Sequence, residues 1–428
     1  MTIMGTLTKI LRYALIAMIV LLLGSLAGWY AYLQTQKNPL APVEGEASMS
    51  DGFQGNRGGG AGSAVVSDTV TGGGEESIST KPIERLWRVD RGPVAGFSFV
   101  DRVLPLSSTS STGSLFFVQR GTGYILSADT KTQIVSRITN TLMPKIYEAH
   151  IGTSGEYVFL RSVDETGALT TFAGTLVADD ATGTPQALAG SYLSPNIREV
   201  ALDSASKNML LLTIDPATGN AIGTTQLQDG TKSKHLFSSF IRSWKPFYAQ
   251  GQLILLTKPS DNLPGYAYKV SMAGTLSLLV GPIPGLSILP HPTENALLYS
   301  SSGGGVALFA RAGSAAAVGI QLQTVADKCV WRRSSAKASD GQAEKLLIAY
   351  CAVPAAISSS SFLSDWYRGA LHTEDAWWKI DVASGDVELV FTPPSPLDVQ
   401  NPTIDETGAY IAFTNGNDQS LWVLRVVQ

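Results

Sequence analysis

One short pattern, repeated seven times between residue 113 and the C-terminus, limits what this chain can fold into. A small or polar turn is followed at once by a hydrophobic run of strand length. The instances are Gly113-Ser114 before Leu115–Val118, Gly155-Glu156 before Tyr157–Leu160, and Lys207-Asn208 before Met209–Leu212. Four more follow: Gly251-Gln252 before Leu253–Leu256, Glu294-Asn295 before Ala296–Tyr299, Glu344-Lys345 before Leu346–Ala349, and Gly408-Ala409 before Tyr410–Phe413. Successive instances are separated by roughly 40 to roughly 65 residues, the spacing of a propeller or solenoid array.

Within that spacing the units usually offer four short strands. In the first they are 96–100, 115–118, 124–127 and 133–136; in the fourth, 244–248, 253–256, 266–270 and 276–280. Turns such as Asp381-Val382-Ala383-Ser384-Gly385 join the third strand to the fourth. Four antiparallel strands per unit make a propeller blade. The last unit stops one strand short at Leu421–Arg425, while a spare strand, Glu84–Val89, precedes the first unit and repeats its Leu-Trp pair. A toroid must join its ends, so the expectation is an all-β, seven-bladed β-propeller closed by the N-terminal strand. The irregular second and third units leave six and eight blades as open alternatives.

The first 82 residues have another character. Residues 13–33 carry no charge, follow Lys9 and Arg12, and end at Trp29, Tyr30 and Tyr32. About 20 apolar residues span a bilayer, cations mark the cytoplasmic side and aromatic rings the interface. This predicts a cytoplasmic tip and transmembrane anchor over 1–37, a single pass in the cell membrane, and an extracytoplasmic main domain. A cleaved signal peptide, with Ser25-Leu26-Ala27 as its small-residue site, is the alternative and places that domain on the same side. Residues 38–82 read as a flexible Gly/Ser-rich linker, with too little apolar surface to offset the entropy of ordering it. The propeller then occupies 83–428.

The unit Pro402-Thr403-Ile404-Asp405-Glu406-Thr407-Gly408-Ala409-Tyr410-Ile411-Ala412-Phe413 resembles the repeat of TolB-like, or WD40-like (PD40), β-propellers. In that family a proline–small–x–Asp–x–x–Gly turn leads into an aliphatic–aromatic strand. The resemblance covers the propeller and implies that fold and an envelope location. The additional α/β domain of TolB is absent, as are the Gly-His and Trp-Asp marks of true WD40 repeats, so no partner is carried over.

Only 15% of residues are charged and the net charge is −4, which leaves no basic stripe for nucleic acid. The two cysteines, Cys329 and Cys351, lie on consecutive strands at equal distance from the loop centre near residue 340. Directly opposed antiparallel residues come within disulfide range, and an extracytoplasmic site permits oxidation. A disulfide is therefore expected, against two merely neighbouring core cysteines. The stretch Pro354–Trp378 interrupts the sixth unit and concentrates Trp366, Tyr367, His372, Trp377 and Trp378. It reads as a binding patch on one propeller face or as a loop held down by its own aromatic rings. The histidines have no second ligand at metal spacing, and no nucleophile elbow, zinc signature or calcium loop is present, so no catalytic residue, metal or cofactor is assigned. The expected function is a membrane-anchored binding scaffold of the cell envelope, for an envelope protein or a cell-wall polymer. The alternative is a propeller hydrolase or lyase, glycan-directed, with its site at the central channel.

Overall fold

The structure, a computed structural model, describes residues 82–100, 114–176, 185–203, 207–333, 347–357 and 359–426. The apolar segment 13–33 and the Gly-rich segment up to residue 81 lie outside the described residues. All described residues belong to one compact unit, Ser79–Gln428.

Seven four-stranded antiparallel sheets follow one another along the chain. Blades one to six comprise residues 94–137, 146–192, 199–239, 244–284, 287–320 and 329–391. Blade seven contains Val399–Ile404, Tyr410–Asn415 and Leu421–Arg425, and Leu86–Asp90 is its fourth strand. That strand runs antiparallel to Leu421–Arg425, with Leu86 opposite Leu424 and Trp87 opposite Val423.

The hydrophobic runs of the sequence are the second strands of the blades. Leu115, Phe116, Phe117 and Val118 are all fully buried, and so are Val158, Phe159 and Leu160. They do not alternate because both faces of each blade are covered by its neighbours, so inward and outward residues alike leave water. The buried apolar side chains divide accordingly. Phe116, Val118, Val158 and Leu160 meet between blades one and two. Leu210, Leu212, Trp244 and Leu255 meet between blades three and four. Trp87, Val423, Leu115 and Phe117 meet between blades seven and one. The outer strands Ile134–Arg137 and Ala189–Tyr192 are exposed throughout. In blade six the second strand runs Ile348–Pro354, starting two residues later than the hydrophobic run.

The Asp-led turns are held by side chain as well as backbone. Asp381 accepts the N–H of Ala383 at 2.9 Å, while Gly385 closes the turn at φ +81°, a left-handed conformation natural to glycine. Cys329 stands directly opposite Cys351 with Cα atoms 4.0 Å apart, and the two form a disulfide. The pairing follows the strand symmetry anticipated from their spacing.

Candidate ligand-binding site

Residues 355–374 join the second and third strands of blade six. They contain one short helix, Phe362–Tyr367. Its apolar side packs down: Phe362, Leu363 and Trp366 form a separate small core with Val306 and Val325. Its first turn is held from across the ring. Asp261, in the corresponding loop of blade four, accepts the backbone N–H groups of Ser364 at 2.8 Å and Leu363 at 3.3 Å. These bonds satisfy amides that have no partner within a helix.

Beneath the insertion lies a fully buried ionic cluster. Lys328 Nζ donates to Asp375 Oδ2 at 2.6 Å, Asp398 Oδ1 at 2.8 Å, Thr373 Oγ1 at 2.8 Å and the Val399 carbonyl at 3.0 Å. It also sits 4.6 Å from the centre of the Trp366 ring. Asp398 in turn accepts from Trp366 Nε1 at 2.8 Å and from Thr373 Oγ1 at 2.8 Å, and pairs with His372 Nδ1 at 3.0 Å. The two carboxyls shift in opposite directions. Burial pushes Asp375 up despite Lys328. Burial acts on Asp398 in the same sense, but the Lys328 charge and the hydrogen bonds from Lys328, Trp366 and His372 outweigh it and hold that carboxyl low. Lys328 and Asp398 each immediately precede the innermost strand of a blade, so the cluster ties blades six and seven to the insertion.

The central channel opens beside it. A cavity of about 340 Å³ is bounded by the innermost strands of blades four to seven. Its wall is mainly apolar, with Phe247, Ile288, Leu289, Pro290, Trp331 and Ile404. Trp331 is fixed by its Nε1, which donates to the Leu289 carbonyl at 2.9 Å, and by the edge of the His291 ring at 5.0 Å. Tyr248 also lines the cavity, and burial, with the Asp203 carboxylate nearby, pushes its hydroxyl up to about 12.

At one end Lys245 of blade four meets Asp327 of blade six, Nζ to Oδ1 at 2.6 Å. The Tyr367 hydroxyl donates to the other oxygen of Asp327. Burial alone would raise the Asp327 carboxyl, but Lys245 and the hydrogen bonds it receives from Lys245, Tyr367 and Ser287 hold it below the usual range. A rim therefore joins two blades and the insertion through one carboxylate.

The five aromatic and imidazole residues singled out in the sequence are dispersed by the fold. Tyr367 is exposed on the rim and the His372 side chain is 38% exposed. Trp366 and Trp377 are buried, the first on the packed side of the insertion's helix and the second against Phe413 at 5.5 Å. Trp378 is half-buried between blades five and six. Sequence reasoning missed Lys245, Asp327, Lys328, Asp375 and Asp398. Their one shared signal is position, since four of them lie at or within two residues of the start of an innermost strand, where every propeller blade turns toward the ring's mouth. Among the described residues no three His, Cys, Asp or Glu side chains gather as a metal site needs.

No protein-family model matches this sequence, and no curated protein matches it. Solved propellers do align with it. The β-propeller domain of the Trilobed protease from Pyrococcus furiosus is 10% identical, covering 75% of this chain and 96% of that one, with a TM-score of 0.46. Oligogalacturonate lyase from Vibrio parahaemolyticus is 9% identical over 78% of this chain and 98% of its own, at 0.47. An oligogalacturonate lyase in complex with manganese is 10% identical over 78% and 97%, at 0.45. The fold assignment rests on the seven sheets themselves, and no activity passes from these proteins to this one.

Proposed function

We propose that this chain is a ligand-binding β-propeller displayed from a membrane, with its site in the central channel under the blade-six insertion. One observation carries the reading. The cavity of about 340 Å³ is walled by apolar side chains and carries the Lys245–Asp327 pair at one end. Small-molecule and side-chain pockets have this composition, an apolar body with a few placed polar groups. Lys328 and Asp398 are fully buried and engaged by several partners each, which suits positioning rather than proton transfer. The partner class favoured is an envelope protein or a cell-wall polymer. The apolar run 13–33 and the similarity of 402–413 to TolB-like repeats support a membrane-held, extracytoplasmic location, and the pairing of Leu86–Asp90 with Leu421–Arg425 supports a ring joined by its N-terminal strand.

The experiment is binding by the full chain in detergent to a panel of envelope proteins and wall-polymer fragments, with Lys245→Ala and Tyr367→Ala beside it. The expected result is a specific binder whose affinity drops in both variants while their melting temperatures stay near the parent's. Binding that ignores both substitutions would remove the channel from the reading. The rival, a glycan-directed hydrolase or lyase, draws on the partly exposed His372 held by the buried Asp398. Turnover of a polysaccharide panel, abolished in His372→Ala, would establish it instead.

A further inference from the structure

A second concavity lies at the ends of the innermost strands of blades three and four, with Leu169 of blade two at its edge. Its volume is about 440 Å³, and its lining includes Arg198, Arg242, Lys258 and Glu199. Three cations against one carboxylate leave two positive charges in excess. Glu199 is spent on Lys258, Oε1 to Nζ at 2.9 Å. Neither arginine has a carboxylate partner among the described residues.

The fold holds the backbone of Arg198 and seats the guanidinium of Arg242 against a turn. Arg198 directly precedes the innermost strand of blade three, and its backbone is clamped on both sides. Its N–H donates to the Leu212 carbonyl at 2.7 Å, and its carbonyl accepts from Arg161 Nη2 at 2.7 Å. Arg161 is fully buried, bonded also to the Ile197 carbonyl at 2.7 Å and to the Glu148 carboxylate. Arg242 stands two residues before the innermost strand of blade four. Its guanidinium lies against Gly219 so closely that a methyl group there would sit 2.3 Å from Nη2. The Asp215 carboxylate in that same turn is occupied by the Thr218 hydroxyl at 2.5 Å and the Ala217 N–H at 3.0 Å.

We infer that this concavity is an anion-binding site for a phosphate-type oxyanion carried as a monoester on a small molecule. Guanidinium groups present paired N–H donors that match the oxygens of a phosphate, and their planar fork is already organised for them. Lys258 supplies a third charge that the ligand shares with Glu199. A bare phosphate leaves most of the cavity unfilled, and the half-buried Leu169 and Ile214 give the remainder of a monoester an apolar wall.

The test uses the full chain in detergent, titrated calorimetrically with glucose 6-phosphate, inorganic phosphate and glucose. The expected result is binding of glucose 6-phosphate that weakens as salt rises and is tighter than that of inorganic phosphate, with no binding of glucose. Arg198→Ala/Arg242→Ala should weaken it at least about tenfold, and Arg242→Lys should fall between, since an ammonium cannot reproduce the fork. Both arginines are exposed, so unchanged melting temperatures without ligand serve as the folding control. Equal affinity for the two phosphates would overturn the monoester and assign the site to the free ion. Absence of binding by either, or binding untouched by the double substitution, would overturn the site.

Discussion

The second strands of the blades and the corner beneath the blade-six insertion are both dry, and they reach dryness by opposite chemistry. Phe116, Val158 and Leu298 are buried with no polar partner to satisfy. Lys328, Asp375 and Asp398 are buried as well, and each depends on polar partners held in place around it, the two carboxylates on Lys328 first of all. Apolar burial is non-directional and grows with area, so it tolerates small shifts. Buried charge is stable only while its partners stay in place, since each ion has given up its hydration. The strands therefore build the ring, and the ionic corner fixes one orientation of the insertion on it.

The most damaging way to break that comparison is to unpair the corner. Lys328→Ala leaves Asp398 and Asp375 buried without their cation and should cost about 3–5 kcal/mol in denaturant unfolding. Adding Asp375→Ala and Asp398→Ala to it should recover part of that loss; a triple variant less stable than Lys328→Ala would refute the dependence. On the apolar side, Leu298→Ala, at a fully buried second-strand position, should cost about 2–5 kcal/mol by lost burial and cavity formation. No second substitution at a polar site should rescue it.

A smaller effect separates the rim from both. The Asp327 carboxyl is held below its ordinary 3.8 in the folded protein, so its contribution to stability is present above that pH and is lost as the pH falls below it. Asp398 acts in the same sense, whereas Asp375, raised by burial, acts in the opposite one. Unfolding measured across the acid range should show stability declining below about pH 4, with a shallower decline in Asp327→Asn. Equal slopes for the two proteins would mean that the rim carboxylate contributes nothing. The mildest perturbation is Tyr367→Phe, which removes one hydrogen bond at a partly exposed position and should cost about 1 kcal/mol.

The same contrast explains what could be read early. Seven hydrophobic runs at near-regular spacing identify the second strands, because each must be apolar on both sides wherever the blades meet. Cys329 and Cys351 are equally legible, since symmetry about a single hairpin decides their register. Trp366, Tyr367, His372, Trp377 and Trp378 were legible as a group but not as individuals. An aromatic side chain suits a rim, a core or a lid, and only the packing shows Trp377 against Phe413 and Tyr367 on Asp327. Lys328 and Asp398 gave no sign of meeting, separated by 70 residues and a blade boundary.

By itself, then, the chain's sequence pointed to seven four-stranded sheets, with six and eight left open, and to the cysteine pairing within one of them. These depend on periodicity and on local hairpin geometry, both of which are written along the chain. Tertiary structure alone decided which charges are buried together at blade six, which face the channel, and which arginines stand unpaired between blades three and four. Those outcomes depend on where the ring brings the ends of separate blades, and the energy of a charge is set by its neighbours in space rather than by its neighbours in sequence.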